Sequence, residues 1–214
     1  MLQPDGRLTP ATPPAEEPVT TAEAKAHLRV EVDDDDTLIA ALVVAARRLV
    51  EARLARALVS QAWDLTLDGF PRACTQRPGS WERSWSYYGT LTVPLAPLAS
   101  VSSITYVDAA GEEQTLDPSG YQVVAGSPGL VVPAYGTSWP ATRSRPEAVT
   151  IRFTAGYGDA ADVPQTLKLA VLLLVSHWYE HREAAIDPLI GNGPVDLPYG
   201  VGALLAAESW GHYA

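Results

Sequence analysis

Cysteine is all but absent: Cys74 is the only one in 214 residues. A lone thiol excludes an internal disulfide framework and any Cys-rich zinc site. Cationic side chains are scarce too. Lys and Arg total 15 against 25 Asp and Glu, a net charge of −10. Grip on a nucleic-acid backbone comes mostly from Lys and Arg neutralising phosphates, so a chain this acidic is a poor phosphate binder. An acidic surface is compatible instead with DNA sliding past without sticking. Long apolar runs are missing. The longest, Leu38 to Ala46, is about half the ~18 residues that a membrane span needs. The first 18 residues hold Pro4, Pro10, Pro13, Pro14 and Pro18 and lack the apolar stretch of a signal peptide. The reading is a soluble chain with no visible export signal and no membrane partner. A phosphate-binding loop is missing as well: Gly156-Tyr157-Gly158 lacks the third glycine and the lysine, and reads as a turn. No nucleophile elbow is present. Cys74 lies in a Pro/Arg/Gly stretch without a nearby histidine and reads as an incidental thiol.

What is present is enough apolar material, 47% of the chain against 19% charged, for a sizeable core. Residues 1–18 read as a disordered arm, residues 19–185 as one domain and residues 186–214 as a C-terminal arm. Thr20-Thr21-Ala22-Glu23 fits a capping box opening a short helix to about Arg29. Asp33 to Asp36 then precede a long helix to about Leu58, with Leu38, Leu42, Ala45, Leu49 and Ala52 at helical spacing. Acids at its start and Arg47, Arg48, Arg53 and Arg56 towards its end complement the helix dipole. The acid run lacks the glycine and distal glutamate of a calcium loop and reads as a solvated helix start.

The middle of the chain is β. Trp63, Leu65 and Leu67 alternate with Ala62, Asp64 and Thr66, and Leu91 to Pro94 is the expected hairpin partner of that strand. Val101 to Val107 pairs with Gln114 to Leu116. Tyr121 to Val124 pairs with Leu130 to Val132 through Gly126-Ser127-Pro128-Gly129, and Ala148 to Thr154 is a last strand. Helix returns after Asp162-Val163-Pro164-Gln165, which supplies a cap and a proline in the first turn. Val163, Leu167, Val171, Leu174 and Trp178 line one face, while Leu169, Leu172, Leu173 and Val175 make other faces apolar, as in a helix buried on several sides. The fold class is α+β: a helical core, with long helices near 34–58 and 163–183, an antiparallel β insertion and extended terminal arms.

Two constellations invite a chemical reading. His177-Trp178-Tyr179-Glu180-His181 has the H-x-x-E-H spacing of inverted zinc peptidases. Two histidines at i and i+4 share a helix face and can bind zinc, with Glu180 as base. The plainer reading is a polar helix end beside Arg182 and Glu183, because the third ligand would have to come from Asp187, Asp196 or Glu208. The second constellation is Pro71 to Thr90, where Trp81, Trp85, Tyr87 and Tyr88 stand among Arg72, Arg77 and Arg83. Three readings stand: base stacking, a protein contact or local packing, with the acidic charge against the first.

Several segments in order resemble a known family. They are Thr20 to Val30 (TTAEAKAHLRV), the helix Leu38 to Leu58, Ala62 to Phe70 (AWDLTLDGF), Tyr135 to Pro140 (YGTSWP) with Arg145-Pro146, Val149 to Asp159 (VTIRFTAGYGD), and Val163 to Glu183. The series resembles the head–tail connector (adaptor) proteins of long-tailed phages, and the gene transfer agent adaptor is similar. The resemblance covers about residues 19–183. It implies a structural subunit and no enzyme, with no catalytic residue, cofactor or metal. It implies a homo-oligomeric ring of about twelve copies below the portal protein, closed by heterologous contacts. That ring extends the DNA channel without sequence-specific binding and docks a stopper or tail protein. The place is the virion neck, with the host cytoplasm during assembly. The C-terminal arm would meet the portal through Leu197, Tyr199, Val201, Leu204, Leu205, Trp210 and Tyr213. Trp81, Trp85, Tyr87 and Tyr88 would face the next neck or tail component. A zinc-dependent hydrolase on His177, Glu180 and His181 is the alternative, and an accessory virion part such as a tail terminator is a third reading.

Overall fold

The computed structural model describes residues 6–71, 89–181 and 199–208. The chain divides into two compact units where a single domain between arms is expected. One holds residues 1–15 and 60–156; the other holds residues 16–59 and 157–214. Among the described residues the first carries all the strands and the second all the α-helices, so the α+β class stands.

The β unit contains a five-stranded antiparallel sheet in the order β1 (Gly6–Thr12), β2 (Gln61–Leu67), β8 (Val149–Ala155), β4 (Leu98–Val107), β5 (Glu113–Thr115). A three-stranded sheet runs β3 (Leu91–Val93), β7 (Gly129–Pro133), β6 (Tyr121–Val124). Strand β8 is the spine. Val149, Ile151, Phe153 and Ala155 point inward while Arg152 points out, the period-2 pattern of a half-buried strand. Arg152 lies opposite Asp64 of β2 and grips it with two hydrogen bonds of 2.8 and 2.7 Å. The sheets are stitched at Leu98 and Gly126, whose backbones exchange hydrogen bonds of 2.9 and 3.0 Å. Gly129 lies against Leu98 so closely that a Cβ would fall 2.3 Å from the Leu98 Cβ, which leaves room only for glycine.

Two expectations for this unit fail. Leu91 to Val93 does not pair with β2; it pairs with β7 in the other sheet, and β2 lies between β1 and β8. Nearness in sequence suggested a hairpin, but both edges of β2 are taken by distant segments. The supposed disordered arm provides one of them: Gly6–Thr12 is strand β1. Proline is tolerated there because an outermost strand can leave an N–H unpaired, and the register slips between Pro10 and Thr12.

The helical unit packs α3 (Gln165–Glu180) against α1 (Thr21–Leu28), α2 (Asp36–Leu54) and α4 (Tyr199–Glu208). The capping box at α1 is present: the Thr20 amide donates to Glu23 at 2.7 Å, and the Glu23 amide donates to the Thr20 hydroxyl at 3.2 Å. Helix α2 stops short of Leu58 because Ala55 turns left-handed (φ 50°). The Glu51 carboxylate then takes the Leu58 amide at 3.0 Å, and Leu58 and Val59 drop into the core. The buried face of α2 is Ile39, Val43, Ala46 and Val50, one residue on from the stripe picked out by spacing. The helix is apolar on more than one side, so periodicity alone does not fix its phase. Leu38, Ala45 and Ala52 are left outside. Asp162 does not cap α3; it closes the short turn before it with Asp159, and Pro164 occupies the cap position.

Arg47 is buried within this core, where its guanidinium is bound by Glu17 at 2.6 Å and Glu51 at 2.7 Å. Glu51 also holds the Leu58 amide, so one buried cation ties the α1 approach, α2 and the exit from α2 together. Replacing Arg47 with methionine strands two partly buried carboxylates. We expect a loss of about 3 kcal/mol, read as a lower urea midpoint; an unchanged midpoint would show the triad to be dispensable. The Asp64 carboxyl is held below the usual carboxylate range by its hydrogen bonds from Arg152. A carboxylate whose pKa is lowered by folding stabilises above its unfolded pKa and loses that stabilisation as pH falls. The Asp64 contribution is therefore constant from neutrality to about pH 4 and declines below it. Thermal midpoints of Asp64→Asn should converge with those of the unsubstituted chain as the medium is acidified.

Candidate functional site

The histidine pair does not form the helical ligand pair that its spacing suggests. His177 is in the last turn of α3, but His181 is past its end (φ −111°, ψ 68°). The His181 ring turns back so that Nδ1 lies 3.0 Å from the His177 carbonyl oxygen, and the two imidazoles stack at 4.7 Å. Of the acids proposed as third ligand, Glu208 accepts a hydrogen bond from Thr166. Asp187 and Asp196 lie outside the described residues. Among the described residues no group of three His, Cys, Asp or Glu is placed to hold a metal ion. No helix of that part is long and apolar enough to cross a membrane.

The residues expected to meet the portal divide into three groups. Val201 and Leu205 are buried in the helical core, and Leu204 is packed against it. Their segment is helix α4 rather than an extended arm, and it covers a side of α3, with Gly200 against Leu173. The apolar stretch Val201 to Ala207 thus satisfies a need of its own subunit, which the sequence could not distinguish from a need for a partner. Tyr199 opens α4. Leu197, Trp210 and Tyr213 lie outside the described residues, as do Trp81, Trp85, Tyr87 and Tyr88.

Among the described residues, two surfaces stand out as candidates. On α2, Leu38, Ala45 and Ala52 are exposed at seven-residue spacing, a single stripe along the helix. In the β unit, Phe70 stacks on Trp139 with centroids 4.7 Å apart and planes 4° apart, and meets Tyr106 edge-on at 5.9 Å. The Trp139 indole donates to the Gly89 carbonyl at 2.6 Å. Phe70, Trp139, Pro133 and Pro140 line an open cleft of about 420 Å³ with Pro71 and Gly89, the residues on either side of 72–88. The aromatic reading of Pro71 to Thr90 overlooked this cluster. Its signal was the YGTSWP stretch, whose tryptophan has a partner far away in sequence.

No family model matches the chain, and no curated protein matches it. Solved structures do. A chain from the neck of an empty gene transfer agent particle with C6 symmetry is 27% identical, with a TM-score of 0.72 over 94% of each chain. A chain from the virion of a native gene transfer agent particle is 28% identical, with a TM-score of 0.71 over 94% of this chain and 93% of that one. The likeness is to chains of a particle neck and of a whole virion. A third, from the neck of the native particle with C12 symmetry, is 28% identical with a TM-score of 0.61, over 92% and 93%. Both units are covered, so the likeness supports a neck-type structural protein and not merely a shared motif.

The Phe70–Trp139 stack and the indole hydrogen bond should together contribute about 2 kcal/mol. Trp139→Ala is expected to lower the urea midpoint accordingly. Trp139→Phe, which retains a ring and loses the donor, should recover part of it; equal losses would mean that the ring does not pack as described.

Proposed function

We propose that this chain is an adaptor subunit: a ring-forming structural protein of the neck of a tailed phage or gene transfer agent, sited below the portal. The observation that carries this reading is the likeness over 94% of both chains to a component of a symmetric gene transfer agent neck. Its work is binding. Copies meet through heterologous contacts that close on a cyclic axis. The exposed α2 stripe Leu38, Ala45, Ala52, with Arg48 between the two alanines, is suited to such a contact, because it joins apolar residues to a charge that can pair with an acidic neighbour. The acidic charge suits a channel through which DNA slides, with no grip on its phosphates. The segment beyond Glu208, with Trp210 and Tyr213, takes the portal-facing role, assisted by Leu197 and Tyr199. Trp81, Trp85, Tyr87 and Tyr88 take the contact with the next neck or tail protein. The subunit assembles in the host cytoplasm and ends in the virion neck.

The burial of α4 dictates how the portal contact is tested. Removing Val201 and Leu205 strips about 2 kcal/mol of apolar burial each from the core, so a deletion from Leu197 would confound folding with docking. A chain ending at Glu208 keeps α4. It should retain the thermal midpoint of the full chain and fail to add density to portal-bearing, DNA-filled heads viewed by electron microscopy. Attachment at full occupancy would remove Trp210 and Tyr213 from the portal contact. The full chain should place a ring on the portal; bare portals, where other neck proteins bind, would overturn the adaptor reading. Ala45→Glu should leave the monomer's circular dichroism unchanged and abolish ring density; an intact ring would exclude this face of α2.

A further inference from the structure

Strand β1 contributes almost nothing to a core. Leu8 is half-buried and the other six residues are exposed. It is held by its ladder to β2, by the Arg7–Glu147 ion pair, and by the Thr66 hydroxyl donating to the Arg7 carbonyl at 3.2 Å. The partners in that set, strand β2 with its Thr66 and the turn residue Glu147, all lie outside β1, and a second copy offers the same set. The edge of β2 needs a cover: it is a seven-residue strand, and Leu65 and Leu67 lie close under Gly6, where an added Cβ would come within 2.7 Å of the Leu67 side chain. An open edge of that length invites pairing.

The connector is short and stiff. Between Thr12 and Glu16 stand only Pro13, Pro14 and Ala15. On its far side the chain is fixed to the helical unit: Glu16 takes the Ala160 amide at 2.6 Å, Glu17 binds Arg47, and Pro18 and Val19 are buried. Short hinge loops favour the exchange of a terminal element with a neighbouring copy. We propose that β1 is an exchangeable strand, which adds to β2 of a second copy of this chain and links neighbours head to tail. Three residues reach at most about 10 Å, so the acceptor is the adjacent copy. Such a linkage propagates and closes into a ring when the rotation allows. Only that closure rests on the ring reading; the exchange itself does not.

The experiment uses the free full-length chain with Cys74→Ser throughout. Arg7 lies opposite Thr66 in the ladder. One preparation carries Arg7→Cys, another Thr66→Cys, so neither can close a disulfide of this pair within its own chain. Mixed and incubated with oxidised glutathione, they are expected to give a heterodimer of twice the 22.8 kDa chain mass. The out-of-register mixture of Arg7→Cys with Asp64→Cys should give at least tenfold less. Arg7→Cys/Thr66→Cys in one chain verifies that the rung closes. Closure in that chain without heterodimer in the mixture would overturn the exchange, as would equal yields from the two mixtures. If the double substitution unfolds the protein, Thr9→Cys with Asp64→Cys tests the neighbouring rung in the same way. Failure here with a ring still seen on portals would leave the adaptor reading standing without strand exchange.

Discussion

The fold depends on the antiparallel pairing of β2 with β8. Their register sets Gln61 opposite Ala155, so the residue that begins the long β excursion lies beside the one that ends it. Only then do the segments on either side of the excursion become neighbours. The Tyr157 amide donates to the Leu58 carbonyl at 3.2 Å, and the Arg56 guanidinium donates to the Tyr157 hydroxyl at 2.5 Å. Helices α2 and α3 are far apart in the chain and share one core because of that closure. Folding therefore carries a substantial loop-closure cost before the helical core rewards it.

Local chemistry was legible in the sequence where a feature and its partner are near in the chain. The Thr20–Glu23 box, the β4–β5 and β6–β7 hairpins and the apolar face of α3 all stand as read. The misreadings share one cause, a partner that is distant. Strand β1 is built from a proline-rich segment because β2 has an edge to cover; β3 belongs to β7; the phase of α2 is set by α3. Composition suggests what an isolated segment prefers, and the ladder or core it joins decides otherwise. The apolar residues of α4 illustrate this most plainly. Val201 and Leu205 are equally compatible with a foreign groove and with their own subunit until burial assigns them.

The place of a site was not legible in the sequence. The sequence reading turns to surfaces rather than clefts, and the solved structures similar to this chain include a neck chain and a virion chain of gene transfer agent particles. Where a surface would be used is set by what folding leaves uncovered. On α2 that is the stripe at Leu38, Ala45 and Ala52, which spacing identified as apolar while assigning it to the interior. The same helix thus turns one apolar side into the core and leaves Leu38, Ala45 and Ala52 on its exposed side.

The adjacency of Gln61 and Ala155 has a consequence for how such a protein can diverge. A segment whose two ends leave from one rung is clamped at its base, and lengthening a loop that is already closed costs only about 0.6 kcal/mol per doubling. The loops between β2 and β8 can be enlarged or trimmed while the ladder between those strands persists. The β excursion can in this sense change in length between its strands while the helices keep to their own constraints.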